Sequence, residues 1–350
     1  MSKKKITIIT KKIKVMLFLC LQLNFLCPLS SESQQVYQSD NEKTKSPFLQ
    51  SVIRFNDSSL EMLVLHPEIV FADPDAFWAS DSAYRLVKQW HKISSRPIPM
   101  EQWNKWMQAS KDIPVNDRAK NSQLVAAQST MSKEKEFNER AVPYLCSFLP
   151  KDCPKITITI YFTTAIMWSG FQSGNSIVIY GANADKDNLF IHELFHQGFA
   201  QYRQNKLCAN HQDSLISNIY DNLQNEGMAT YVGYKALKEF PHCRTDQLKD
   251  DYKMYENMED VKSLLNAMNN LCKKSFTLTE KELRDSLWQI GSIDRAFYVV
   301  GCFMAKTIDE KLGRDALVET ITQKSISFVR LYNSLVDESI RVMDLSTCKK

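Results

Sequence analysis

The chain has 350 residues, 44% of them hydrophobic and 11% aromatic, with 44 basic against 40 acidic side chains. Six of the basic groups are lysines within the first 30 residues, which hold no acid, so the remainder carries 38 basic and 40 acidic groups and gives no electrostatic case for a nucleic-acid partner. The apolar content suits a globular body with one large or two modest cores, and nine glycines are too few for a turn-rich all-β fold.

Residues 1–30 set those lysines ahead of an apolar run from Val15 to about Cys27, the layout of a secretory signal peptide. The run falls short of the roughly 20 residues a membrane-spanning helix needs, and Gln22 and Asn24 interrupt it. Export to the periplasm or beyond the cell is therefore expected, with no stable membrane span once the signal is removed. Residues 31–46 are polar and read as a flexible lead-in. In an exported chain Cys146 and Cys153 are the easiest disulfide to form, across the Pro150-Lys151-Asp152 turn.

Residues 47–150 read as a helical N-terminal region: 79–94 with Ser80 or Asp81 as cap, a segment after Pro99, and KEKEFNERAVPYLCSFL up to Pro150. Trp90, Trp103 and Trp106 suggest one packed cluster. After Pro154 the texture changes, and residues 151–350 read as a second, catalytic region. ITITIYFTT (156–164) alternates at period two, and NSIVIYG (175–181) is a second strand, with a loop between them that could fold as a hairpin or meander. A helix follows from Asp185 or Asp187 through IHELFHQGFAQYRQN, then a second over about 214–238 with Asp213 as its cap. The rest is mostly helical, including IDRAFYVVGCFMAKTIDEKL ending at Gly313.

His192 and His196 stand four apart on the first of these helices, so both rings share one face and can turn a nitrogen toward one ion. Glu193 lies about 100° further round, suited to a water beside that ion and hence to general-base work. A random chain of this composition holds the pattern only about 0.01 times, although an amphipathic helix with satisfied histidines is the plain alternative. A catalytic zinc takes three protein ligands. Glu226, 30 positions beyond His196, is the candidate third: an antiparallel second helix would return it to the pair, and Gly227 and Ala229 are small enough for close approach. His211 and Asp213 in the intervening loop are rivals. His211 is too far from His196 for the metzincin spacing.

HELFH followed by NEGMATY resembles the gluzincin branch of zinc metallopeptidases. The EGxAxY context and YVVGCFMAKTIDEKLGRDALVETI look more narrowly like bacterial zinc-dependent peptidases, over about residues 155–330. The resemblance implies one zinc ion on His192, His196 and Glu226, with Glu193 as catalytic base and a peptide or protein as substrate. The gap before Glu226 is longer than in the thermolysin-like pattern and no ExxxD surrounds it, which sets the chain apart from thermolysin. Tyr298, or Tyr231, is a candidate donor to the oxyanion, with an ordinary core tyrosine as the plain alternative; NSIVIYG is the candidate strand for peptide binding along a sheet edge, with an ordinary internal strand as the alternative. The expected fold is α+β and predominantly α-helical, with a zincin-like catalytic domain, a small sheet and two antiparallel metal-binding helices. A catalytically silent binding protein and a zinc hydrolase of a non-peptide amide share the same residues. The sequence leaves the oligomeric state open.

Overall fold

A computed structural model describes residues 46–93, 118–163, 170–207, 215–240, 249–275 and 277–344. The signal segment, most of the lead-in, the Trp103–Trp106 segment and the loop holding His211 and Asp213 lie outside the described residues. The architecture is α+β and mostly helical, as expected. Four strands, β1 (Val52–Asn56), β2 (Thr157–Thr163), β3 (Gly170–Ser173) and β4 (Ser176–Tyr180), form one sheet in the order β1-β2-β4-β3. Before β2 come helices α1 (Ser58–Leu65), α2 (Pro67–Ala72), α3 (Pro74–Ser80), α4 (Ser82–Ile93), α5 (Arg118–Met131) and α6 (Glu134–Cys146). After β4 come α7 (Asp187–Leu207), α8 (Leu215–Glu239), α9 (Lys249–Glu256), α10 (Met258–Lys274), α11 (Glu280–Leu287), α12 (Ala296–Leu312), α13 (Arg314–Glu319) and α14 (Ser325–Leu335). Among the described residues no helix is long and apolar enough to cross a membrane.

The alternation in β2 sends Ile158, Ile160 and Phe162 to one buried face, and the parallel registers Ile53↔Ile158, Phe55↔Ile160 and Phe162↔Ile179 continue that face across the sheet. Phe55 and Phe162 stack with centroids 5.8 Å apart, and Phe190 of α7 lies 5.7 Å from Phe55 and 5.9 Å from Phe162. Those aromatic contacts seat α7 on the sheet. His192 is two residues past Phe190, about 200° round the helix, so the histidine face turns away from the sheet.

Two expectations are corrected here. The first is the helical reading of 47–150, which omits β1: VIRFN is a five-residue strand whose partner lies a hundred residues downstream. The outer side of β1 is closed by side chains of α6. Asn138 accepts from the Ile53 amide at 2.8 Å and donates to the Ile53 carbonyl at 2.7 Å, and Glu134 accepts from the Phe55 amide at 2.8 Å. The second concerns β4, for which the internal-strand alternative holds and the sheet edge does not: it is parallel to β2 on one side and antiparallel to β3 on the other. The hairpin joins β3 to β4 through Gly174, whose φ of 55° suits the first position of a tight two-residue turn.

Against α7 lies α8, and against α8 lies α12. The first pair is antiparallel: a Cβ added at Gly233 would lie 3.1 Å from the Asn188 carbonyl, while Arg203 near the other end of α7 pairs with Asp221 at 2.8 Å. The second pair runs in one direction and crosses glycine on glycine. A Cβ at Gly301 would meet the Leu223 carbonyl at 2.2 Å and the Gly227 Cα at 2.7 Å. Gly227 therefore admits α12 rather than α7, contrary to the expected role. The close approach to the histidine helix is made by Gly233, where a Cβ would stand 3.6 Å from that of His192. Cys146 and Cys153 are free thiols, so the expected disulfide is absent. Burial pushes them up to about 11 and about 12, and the Cys153 thiol donates to the Gly198 carbonyl of α7.

Candidate metal centre

Antiparallel packing of α7 and α8 returns Glu226 to the two histidines. The Nε2 atoms of His192 and His196 are 3.1 Å apart with ring planes at 89°; Glu226 Oε2 lies 3.5 Å from His192 Nε2 and Oε1 lies 3.4 Å from His196 Nε2. All three residues are buried, none more than 5% exposed. Separations of 3.4 and 3.5 Å are long for hydrogen bonds between charged partners. They match another geometry: donors about 2.0–2.1 Å from a tetrahedral zinc stand about 3.3 Å from one another.

The proton inventory points the same way. An amide oxygen only accepts, so Asn225 Oδ1, 2.9 Å from His196 Nδ1, fixes the hydrogen on Nδ1 and leaves Nε2 facing the centre. Glu226 Oε2 is buried without a hydrogen-bond partner. Two imidazole nitrogens and a carboxylate thus converge on a space that calls for a cation, and the donor set suits zinc. Without a metal, a proton substitutes. Burial works against charge on His196, yet the Glu226 carboxylate beside it holds the ring up at about 9. Burial would raise Glu226 as well, but the two histidines hold it well below the usual carboxylate range. A divalent ion held by the same three side chains would take over the role of that proton.

Glu193 is 2% exposed, and burial raises its carboxyl, an effect partly offset by the two imidazoles. A carboxylate that takes up a proton more readily than usual is suited to accept one from water and pass it on. The Tyr298 ring lies 6.2 Å from that of His192 and within 9° of parallel, and its hydroxyl is buried without a hydrogen-bond partner. Tyr231 is elsewhere: its hydroxyl donates to Asp309 Oδ2 at 2.6 Å, in a cluster with Arg314. That removes it as a donor at the centre. His66 is exposed beside Glu68.

Asn225 was not singled out in the sequence, although a polar residue directly before the third ligand, on a helix buried on most sides, is a readable signal. Asn225→Ala is expected to weaken zinc affinity about 10–100-fold while leaving the fold intact, as measured by competition with a chromophoric chelator. An unchanged affinity would show that the ring is held by packing alone.

A family model described as "Putative zinc dependent peptidase (DUF5700)" matches residues 87–339, which include the whole of this centre. No curated protein and no solved structure matches the chain.

Proposed function

We propose that this chain, which belongs to the family described as "Putative zinc dependent peptidase (DUF5700)", hydrolyses peptide bonds with one zinc ion held by His192, His196 and Glu226. The observation that carries the reading is the convergence of three buried donors, whose ligating atoms stand 3.1–3.5 Å from one another. When bound, zinc supplies Lewis acidity, which acidifies water and polarises a carbonyl.

The remaining work falls to the chain's own groups. Glu193 takes a proton from the attacking water and returns it to the leaving amine, a role supported by its place beside His192 and its raised carboxyl. The Tyr298 hydroxyl donates to the carbonyl oxygen as charge gathers there, supported by its burial and lack of another partner. An extended peptide lies along β3, the terminal strand beyond β4, and not along β4 itself. Gln201 of α7 donates to Asn175 in the β3–β4 turn at 3.1 Å, which ties that end of the sheet to the metal helix. The enzyme works outside the cytoplasm, a reading supported by the lysine-led apolar segment at residues 1–30.

The test is metal content and peptide cleavage in parallel. The native protein should carry about one zinc per chain and cut a mixed peptide library, whereas His192→Ala should retain little zinc and cut nothing. A native protein that takes up no zinc on refolding in its presence would sink the metal reading; zinc without cleavage of any peptide would sink the peptidase reading alone.

A further inference from the structure

Arg295 breaks two local rules at once. It puts a cation at the N-terminal end of α12, where the helix dipole favours anions. Its backbone is left-handed, φ 69° and ψ 20°, a conformation that long side chains avoid, and it is the sole such non-glycine among the described residues. It also follows a π-helical turn over Trp288–Ile293, in which the Asp294 amide reaches back to the Gln289 carbonyl. Locally unfavourable features stacked at one residue ask what the residue gains elsewhere.

The left-handed turn folds the side chain back over its own helix. The Arg295 Cζ lies 3.1 Å from the centroid of the Tyr298 ring, three residues on. The guanidinium is held there by a fork to Asp251 of α9, Nε to Oδ1 at 2.8 Å and Nη2 to Oδ2 at 2.6 Å, with both residues buried. Tyr298 in turn lies nearly parallel to His192. Carboxylate, guanidinium, phenol and imidazole follow one another from α9 to the metal helix.

The geometry points to Asp251 and Arg295 as positioning residues for Tyr298: the forked pair keeps the guanidinium flat on the phenol ring, fixes the ring beside His192 and reserves the hydroxyl for the substrate's carbonyl oxygen. This rests on the peptidase reading above. A lysine would keep the charge but lose both the fork and the plane that stacks.

Fluorotyrosine placed at position 298 of the zinc-loaded full chain reports the ring directly. The native protein should give one narrow fluorine resonance, shifted or split in Arg295→Lys and in Asp251→Asn. Zinc affinity should fall by less than the roughly tenfold expected when a ligand-orienting group is lost. In turnover, Tyr298→Phe should lower kcat about 10²-fold with KM unchanged. Arg295→Lys should lower kcat in the native background and add nothing to Tyr298→Phe. An unchanged resonance in both clamp variants overturns the inference, and so do losses that add in the double variant. A protein that cleaves nothing sinks the peptidase reading, while the fluorine resonance still decides the clamp.

Discussion

Glu193→Gln is expected to load zinc like the native chain and to cleave peptides about 10²–10⁴-fold more slowly. The substitution keeps the shape of the side chain in a site where 2% of the residue is exposed, so packing should survive. What it removes is the ability to accept a proton. Burial makes that acceptance easier than for an ordinary carboxylate, because the neutral form is the one that a buried site favours. Three donors other than Glu193 already surround the candidate ion, so zinc content should not fall. The check is kcat/KM on a peptide picked from the library, set beside zinc content by atomic emission. A variant that loses its zinc would make Glu193 a ligand; one that keeps native turnover would leave the base unidentified and the mechanism wrong.

The second large effect is on stability. Gly301→Ala in the middle of α12 should destabilise the fold by about 3 kcal/mol, the upper end of what overpacking costs. Helix propensity alone argues the reverse, since alanine is favoured over glycine by about 1 kcal/mol in a helix interior. Packing wins because the new methyl would stand 2.2 Å from the Leu223 carbonyl and 2.7 Å from the Gly227 Cα, backbone atoms that cannot rotate out of the way. The strain also reaches the metal centre, because Gly227 directly follows Glu226. Urea denaturation should show a lower midpoint with an unchanged slope, together with weaker zinc binding. A midpoint at or above native would mean that α8 and α12 are not in the contact described.

Legibility followed the distance over which each contact acts. The His192–His196 pair was readable because four residues of helix fix both rings. Glu226 was readable because a helix, a short loop and a returning helix form a small set of geometries. The order of the strands was not: β1 pairs with a strand a hundred residues away, and the alternation in VIRFN spans only five residues, too few to stand out from the helical segments around it. The same limit hid the interior position of β4, which only the place of β3 determines. Small residues were recognised as contact points but assigned to the wrong neighbour, since a glycine shows that something comes close and not what. Arg295 and Asp251 are 44 positions apart and share no motif. Their one local trace is a basic residue at the wrong end of a helix.

The two α6 side chains on β1 bear on how the protein behaves in concentrated solution. A sheet margin with unmet amides and carbonyls is a template for neighbouring chains, and VIRFN, apolar at alternate positions, would serve as one. Asn138 and Glu134 occupy those groups from 85 and 79 residues down the chain, so the protection lasts only while α6 is docked. Resistance to aggregation is therefore conditional here. Any step that lifts α6 from the sheet, in folding or under heat, uncovers a strand with open pairing groups.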